Sequence, residues 1–365
     1  MKKLFFLLLS CLLLTGCQPD KKYTSLDWNS GFDTFISLTS YTRSQEKADE
    51  QMETTKTLFS LYNTYFDIYH TYPHVNNLKT INDNAGIAPV QVAPEIIECL
   101  LKAKEFHTLS HGDFDITMGA VLKVWHHYRD EGVILNGAGQ LGNLPTEKEL
   151  EEARACTGWQ YVEIDEEAST VYITNPCVSL DIGGIAKGFA VEKIAQAIES
   201  HVSAAIVNGG GNTRTVKTKP DQSDWVSGIQ NPENDGSLLA VSVKGSQSIV
   251  TSGDYQRFYV AEDGLLYHHI IDPKTSYPAM LYRSVTIITQ DSGDADGLST
   301  CLYTVSIEEG IEILNHYNNL HPDTPASAIW IMDKDKKIET KNGFELQDFY
   351  ISCTDDLLDK LIFNP

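Results

Sequence analysis

"SLDIGGIAKGFAVEKIAQAI", residues 179–198, holds a strand end, a glycine turn and a helix start in one short run. Asp181 closes the strand, Gly183 and Gly184 make the turn, and a helix is predicted from Ile185 to Ser200. Backbone N–H groups at such a helix start, unshielded by side chains, form a ready anion site, and Lys187 adds a positive charge beside it. A plain strand-to-helix turn reads equally well from the spacing. Neither Gly-x-Gly-x-x-Gly nor Gly-Lys-Ser/Thr occurs, which sets aside a dinucleotide fingerprint and a Walker loop.

Outward from this run the pattern mixes. Upstream, Met52, Leu58, Phe59, Tyr62, Tyr65, Phe66 and Tyr69 recur at three- and four-residue spacing and predict one amphipathic helix from Gln45 to about Tyr69. A second helix is predicted from Pro94 to Ser110, and a third in "LPTEKELEEARACTGW" with Thr146 as N-cap and Glu149 three positions on. Strands are predicted at "YVEID", "TVYIT", "AAIV", "LLAVSVK", "QSIVT", "SVTIIT" and "SAIWIM". Hairpin-like strands among long helices, with no regular strand–helix–strand repeat, read as an α+β fold and not a doubly wound sheet.

The N-terminus, Met1-Lys2-Lys3 followed by "LFFLLLSCLLL" and "TGC", reads as a signal peptide over residues 1–16. Its apolar run is shorter than the ~20 residues a spanning helix needs. "LTGC" resembles the lipobox of bacterial lipoproteins, which implies a lipidated Cys17 as the first mature residue. Residues 17–27 then read as a tether, and 28–365 as one domain, since no linker or charge block divides them and no internal repeat occurs. Of 365 residues, 28 are basic and 50 acidic, a net charge of −22. That excludes nonspecific nucleic-acid binding and repels a polyanionic substrate unless a metal or local cations intervene. Cys99, Cys156, Cys177, Cys301 and Cys353 form no Cys-x-x-Cys pair, so one optional disulfide is left open and no zinc ribbon is indicated.

Several polar, glycine-bearing stretches carry candidate chemistry. "DADGLSTCLYTV" puts Asp296 and Thr300 four apart, so on a helix both oxygens face one way. That suits a hard divalent cation such as Mg²⁺; the alternative is helix capping by Asp294 or Asp296. "YHHIIDPKTSYPAM", residues 267–280, places His269 three ahead of Asp272. A histidine there is a natural proton acceptor near neutral pH, or a hydrogen-bonded residue at a strand end. "VNGGGNTRT" permits close backbone approach to a ligand or a flexible turn. His70/His74 and His107/His111 have zinc-like spacing, but the first pair straddles Pro73 and neither holds the metalloprotease glutamate.

Taken in order, "FDTFISLT", "LKTIND", "GDFDIT", "SLDIGGIAKGFAVEKI", "VNGGGN", "WVSGIQNP", "TSGDYQRFY", "HHIIDPKT" and "DADGLST" resemble the blocks of the ApbE family, the FAD:protein FMN transferases. The resemblance runs from Phe32 to about Tyr303. It implies an α+β, T-fold-related domain of mixed or antiparallel sheet with packed helices and FAD in a central cleft. It also implies Mg²⁺ held by Asp296, Thr300 and a main-chain carbonyl near Gly184. By the same resemblance Phe32, Asp113, Phe114, Asp115, Asp181, Lys187 and Ile271 lie along the FAD, with one of Tyr69 and Tyr72, and His269 is the catalytic proton acceptor. The family often has Met-Gly-Thr where this chain has Phe32-Asp33-Thr34, and glycine or alanine where it has Ser276 or Gly297.

The implied reaction is attack by a threonine or serine hydroxyl of an acceptor flavoprotein on the FMN-side phosphorus of FAD, releasing AMP. The implied acceptors are subunits of membrane redox complexes, met by an enzyme lipid-anchored on the outer side of the cytoplasmic membrane. An FAD pyrophosphatase, with water replacing the acceptor, would use the same site. A flavin-binding lipoprotein without turnover is the alternative of another class.

Overall fold

The computed structural model describes residues 20–363. The signal sequence and Cys17 lie outside the described residues. Nine strands form one antiparallel sheet: β1 (Lys21–Asp27), β2 (Ile36–Thr42), β3 (Ala204–Gly209), β4 (Asn212–Val216), β5 (Ser248–Gly253), β6 (Ser284–Thr289), β7 (Ser327–Asp333), β8 (Phe344–Leu346) and β9 (Phe349–Cys353). Their order across the sheet follows the chain from β1 to β7 and ends with β9 and β8. The segment read as a tether is therefore paired from Lys21 onward: all of β1 lies against β2, Lys21 opposite Thr42 and Asp27 opposite Ile36. Its alternating side chains fit an edge strand with one face toward the protein.

Eight α-helices accompany the sheet among the described residues: α1 (Gln45–Phe66), α2 (Leu78–Asp83), α3 (Pro94–Leu109), α4 (Gly119–Gly137), α5 (Glu147–Arg154), α6 (Ala186–Glu199), α7 (Ser292–Tyr303) and α8 (Ile307–Leu320). Helix α1 stops at Phe66, three residues short of the periodicity, because Asp67 Oδ1 accepts the N–H groups of Tyr69 and His70 and turns the chain away. Helix α5 carries the expected capping box, Thr146 with Glu149. The cap of α7 is Asp291, whose Oδ1 accepts the Asp294 N–H at 2.9 Å; neither Asp294 nor Asp296 caps it. That leaves Asp296 free for another role.

The helices α1, α3, α6 and α7 share one apolar core with the sheet, built on residues such as Phe59, Leu100, Phe106, Phe189, Leu298 and Val285. Against the opposite face packs a three-stranded sheet in the order 361–363, 237–243, 225–230, with Trp225, Leu239, Ile249, Ile329 and Phe349 between the two layers. Residues Trp225–Gln230 are thus an edge strand. A third, smaller core joins α4 and α5 to the hairpin of Phe258–Val260 and Leu266–His268 around Trp125, Tyr259 and Tyr267. Cys156 and Cys177 form the one disulfide among the described residues, tying the end of α5 to the segment that leads into Asp181.

Candidate active site

The run at 179–198 builds the centre of the site. Asp181 N–H donates to Ile116 O at 2.8 Å, and Asp181 Oδ1 accepts the Gly183 N–H at 2.9 Å, which fixes the turn before α6. The first turn of α6 then lies directly on α7. A Cβ at Gly188 would stand 2.2 Å from the Ser292 carbonyl oxygen and 2.5 Å from the Asp296 Cβ, so only glycine permits the approach. In that contact the Gly188 N–H donates to Asp296 Oδ2 at 2.8 Å.

One helical turn beyond Asp296, the Thr300 hydroxyl donates to Gly184 O at 3.3 Å. The three expected metal ligands are therefore neighbours. They offer a carboxylate, a hydroxyl and a carbonyl, all hard oxygen donors, and the bare Gly184 Cα leaves room beside Thr300. This donor set fits Mg²⁺. Burial pushes the Asp296 carboxyl above its usual range, opposed by the Lys187 charge and the Gly188 N–H. The Asn212 amide nitrogen, buried without a hydrogen-bond partner of its own, lies beside the same carboxylate.

His269 follows the hairpin strand Leu266–His268. Its ring is half-buried, with Nδ1 enclosed and without a partner. Burial holds the ring well below its ordinary pKa, and the neighbouring His268 and the charges of Arg257, Lys187 and Arg129 act in the same direction. The Lys187 charge thus acts on both Asp296 and His269. Asp272 does not orient His269: its carboxylate accepts from Lys274 N–H at 2.8 Å and from Thr275 Oγ1 at 3.0 Å, closing the Asp-Pro turn.

The remaining expected residues divide. Phe114 is buried under Gly184 and edge-on to Phe106. Asp113 is held by Lys274, whose Nζ lies 2.8 and 3.0 Å from its two oxygens. Asp115 accepts from Thr117 N–H and Oγ1. Ile271 packs into the small core around Trp125, with 7 % of its surface exposed. Phe32 sits in a loop where Gly31, Phe32 and Asp33 all have positive φ (132°, 56° and 51°). Its N–H donates to Asn63 Oδ1 at 2.7 Å, and its carbonyl faces Arg257 at 3.5 Å. Of the two tyrosines, Tyr72 donates to Asp67 Oδ2 at 2.7 Å. Tyr69 has its hydroxyl 3.0 Å from His126 Nδ1, and burial and the charge of Asp181 push its hydroxyl pKa up.

Arg257, Arg129, His126 and Asn212 were not singled out from the sequence. Arg257 lies inside "TSGDYQRFY" and Asn212 inside "VNGGGN", where a basic residue in an acidic chain was a usable signal. Arg129 and His126 sit on α4, and no motif ties them to Asp181. The zinc-spaced histidines serve structure: His70 Nδ1 pairs with Asp67 and His107 Nδ1 with Phe114 O, both at 3.0 Å. No group of three or more His, Cys, Asp or Glu side chains able to hold a metal occurs among the described residues.

The ApbE family pattern matches residues 32–322. An FAD:protein FMN transferase of Haemophilus influenzae is 28% identical over 344 residues, covering 91% of each chain. One of Treponema pallidum is 33% identical over 283 residues, covering 73% of each. Among solved structures, the ApbE protein of Thermotoga maritima superposes with a TM-score of 0.71 at 29% identity, over 85% of this chain and 94% of that one. The flavin transferase ApbE of Vibrio cholerae has the same fold, with a TM-score of 0.73 at 21% identity, over 94% of this chain and 100% of that one. The order of blocks, the shared fold and the joined Gly184, Asp296 and Thr300 agree: this chain belongs to the ApbE family.

Proposed function

We propose that this chain transfers the FMN half of FAD to a threonine or serine hydroxyl of an acceptor protein, with AMP leaving. The observation that carries this reading is the meeting of Gly184 O, Thr300 Oγ1 and Asp296 at the start of α6. Mere flavin binding needs no such hard-cation ligand set. The curated relatives that carry the transferase name support it.

In this reading the acceptor oxygen attacks the FMN-side phosphorus, the bond from that phosphorus to the bridging oxygen breaks, and AMP departs with the bridging oxygen. His269, neutral near pH 7 because its burial opposes charge, takes the hydroxyl proton. Lys187, in the first turn of α6, holds the pyrophosphate and offsets its charge. Bound by Asp296, Thr300 and Gly184, Mg²⁺ would neutralise phosphate oxygens and favour departure of AMP. Lys187, Arg257 and Arg129 supply the local cations that a chain of charge −22 needs to admit an anion.

The setting is proposed as the outer side of the cytoplasmic membrane, with Cys17 lipidated and with flavoprotein subunits of membrane redox complexes as acceptors. The Cys156–Cys177 disulfide supports an oxidising compartment. The test is incubation with FAD, Mg²⁺ and a candidate acceptor, reading covalent flavin fluorescence on a denaturing gel together with AMP. Transfer gives both in equal amounts. AMP without covalent flavin would return the pyrophosphatase, and neither product would return a binding protein.

A further inference from the structure

The Cys156–Cys177 disulfide takes no part in the chemistry described above, yet both its ends stand beside residues expected along the FAD. Cys156 lies between two grips. Just before it, at the end of α5, Arg154 Nε donates to Ser276 Oγ at 2.9 Å and a terminal Arg154 nitrogen donates to Thr275 O at 2.8 Å. The arginine thus clasps the turn that follows His269 and Ile271. Just after it, the Gly158 N–H donates to Thr117 Oγ1 at 2.7 Å, and that hydroxyl donates in turn to Asp115 Oδ1 at 2.7 Å.

From Cys177 the chain runs to Asp181 through its own set of holds. The Ser179 carbonyl accepts the Gly119 N–H at 3.0 Å, and the Asn82 amide holds the Leu180 N–H and carbonyl at 2.8 and 2.9 Å. The Asp181 N–H then donates to Ile116 O at 2.8 Å. The 113–119 segment is therefore gripped twice, by Gly158 and by Ser179–Asp181, and the disulfide joins the two grips covalently. Closing the intervening loop does not require the bond. Val162–Asp165 pairs with Thr170–Ile173 along its whole length, and the Thr174 N–H donates to Tyr161 O at 2.8 Å, so hydrogen bonds already close that hairpin at its base. The sulfur bridge lies beyond the base, on the flanks that run to Thr117 and Asp181, and fixes them 5.3 Å apart at Cα. Cys177 is exposed and Cys156 half-buried, so a thiol can reach the bond from solvent.

We propose that this disulfide is a redox-sensitive brace of the FAD-binding segments. Oxidised, it holds Asp115 and Asp181 in the arrangement that takes FAD; reduced, it frees the two flanks from one another and FAD binds more weakly. The proposal rests on the transfer reading above, with those residues along the FAD. In the reductive step a dithiol's thiolate attacks one sulfur, the S–S bond takes up two electrons and two protons to give the Cys156 and Cys177 thiols, and the dithiol leaves as its own disulfide. The chain would then bind its substrate firmly only where disulfides persist, which ties flavin transfer to an oxidising compartment.

The test compares the oxidised protein with protein reduced natively by dithiothreitol and capped with iodoacetamide, and with the Cys156→Ser, Cys177→Ser double variant. Cys99, Cys301 and Cys353 are buried, so among the described residues capping reports on this pair. The probe is FAD with no acceptor present, its dissociation constant read by calorimetry well below the melting temperature. A rise of at least about fivefold is expected in the reduced and the doubly substituted protein, as when the binding-competent arrangement falls to about a fifth of the population. Reoxidation of uncapped protein should restore the original affinity, and kcat at saturating FAD should change little. An unchanged FAD affinity with a lower melting temperature overturns the proposal, leaving the bond a stabiliser of the fold alone. So does unfolding of both the reduced and the doubly substituted protein, since the bond would then be needed for folding itself. Failure of the oxidised protein to bind FAD would instead remove the transfer reading on which the proposal rests.

Discussion

At the scale of single residues, the two adjacent histidines have opposite duties. His269→Ala is expected to lower the transfer rate by a factor on the order of 10² to 10⁴ with FAD affinity little changed, since proton acceptance matters mainly in the transition state. Because burial depresses its pKa, His269 is already neutral at pH 6.5, so the rate should stay flat from pH 8 to that point and fall only further into acid; a fall centred near pH 6.5 would show a solvated imidazole instead. From the strand alternation His268 would be an indifferent neighbour, but it is 3% exposed, its Nε2 donates to Ala279 O at 2.7 Å and its Nδ1 accepts the Ile270 N–H at 3.2 Å. His268→Ala should therefore destabilise the fold by roughly 2–4 kcal/mol in thermal or urea unfolding, through a cavity and stranded polar groups. Ser276 also departs from the family's usual glycine for a visible reason. Its φ is +64°, a glycine-favouring conformation, but its Oγ accepts Arg154 Nε at 2.9 Å and its carbonyl accepts Trp125 Nε1 at 2.7 Å. Ser276→Ala keeps the strain and loses the Oγ bond, costing about 1 kcal/mol, whereas Ser276→Gly relieves the strain and should unfold close to the wild type. Equal destabilisation by both would mean that φ is not the controlling factor.

At the scale of elements, the site depends on how closely α6 meets α7. Gly188→Ala would drive a methyl into the Ser292 carbonyl, a backbone atom that cannot step aside, so the helices must part. A loss of about 1–3 kcal/mol in stability is expected, together with weaker Mg²⁺ dependence as Gly184 and Asp296 separate. Asp296→Ala should act in the reverse sense: turnover is abolished, while the melting temperature holds or rises because a buried carboxylate that burial disfavours has gone. Wild-type activity in that variant, measured across a Mg²⁺ titration, would reject the ligand set. Gly297 belongs to the same contact. The Phe106 ring would lie 2.5 Å from a Cβ there, so the residue that weakens the helix start also makes room for α3.

For the whole molecule, what the sequence disclosed depended on the range of each interaction. The predicted helices at 45–69, 94–110 and 185–200 appear within a few residues of their observed ends, and the seven predicted strands all exist, because caps and periodicity are local. Strand β1 and helix α4 went unread. "KKYTSLD" is too polar to mark itself as a strand without β2 beside it, and α4 carries its apolar stripe in a stretch flanked by histidines and charges. The four-residue spacing of Asp296 and Thr300 is visible in the sequence, whereas the Gly184 carbonyl entered only through the family resemblance. Arg129 and Arg257 act on His269 only through the folded chain: Arg257 at least stood within a motif block, whereas Arg129 stood in none. Mass spectrometry of the membrane-derived N-terminal peptide should find diacylglyceryl on Cys17; an unmodified, freely soluble product from a host that matures lipoproteins would reject the anchor. If the anchor is there, strand β1 acquires a second meaning. Lys21 is already paired in the sheet, and from Cys17 to Lys21 the chain can span at most about 14 Å. So short a leash would hold the sheet's outer edge at the lipid headgroups and leave the enzyme almost no freedom to swing. Acceptors would then be chosen by height above the membrane as well as by sequence, since a threonine carried far from the bilayer would pass beyond the active site's reach.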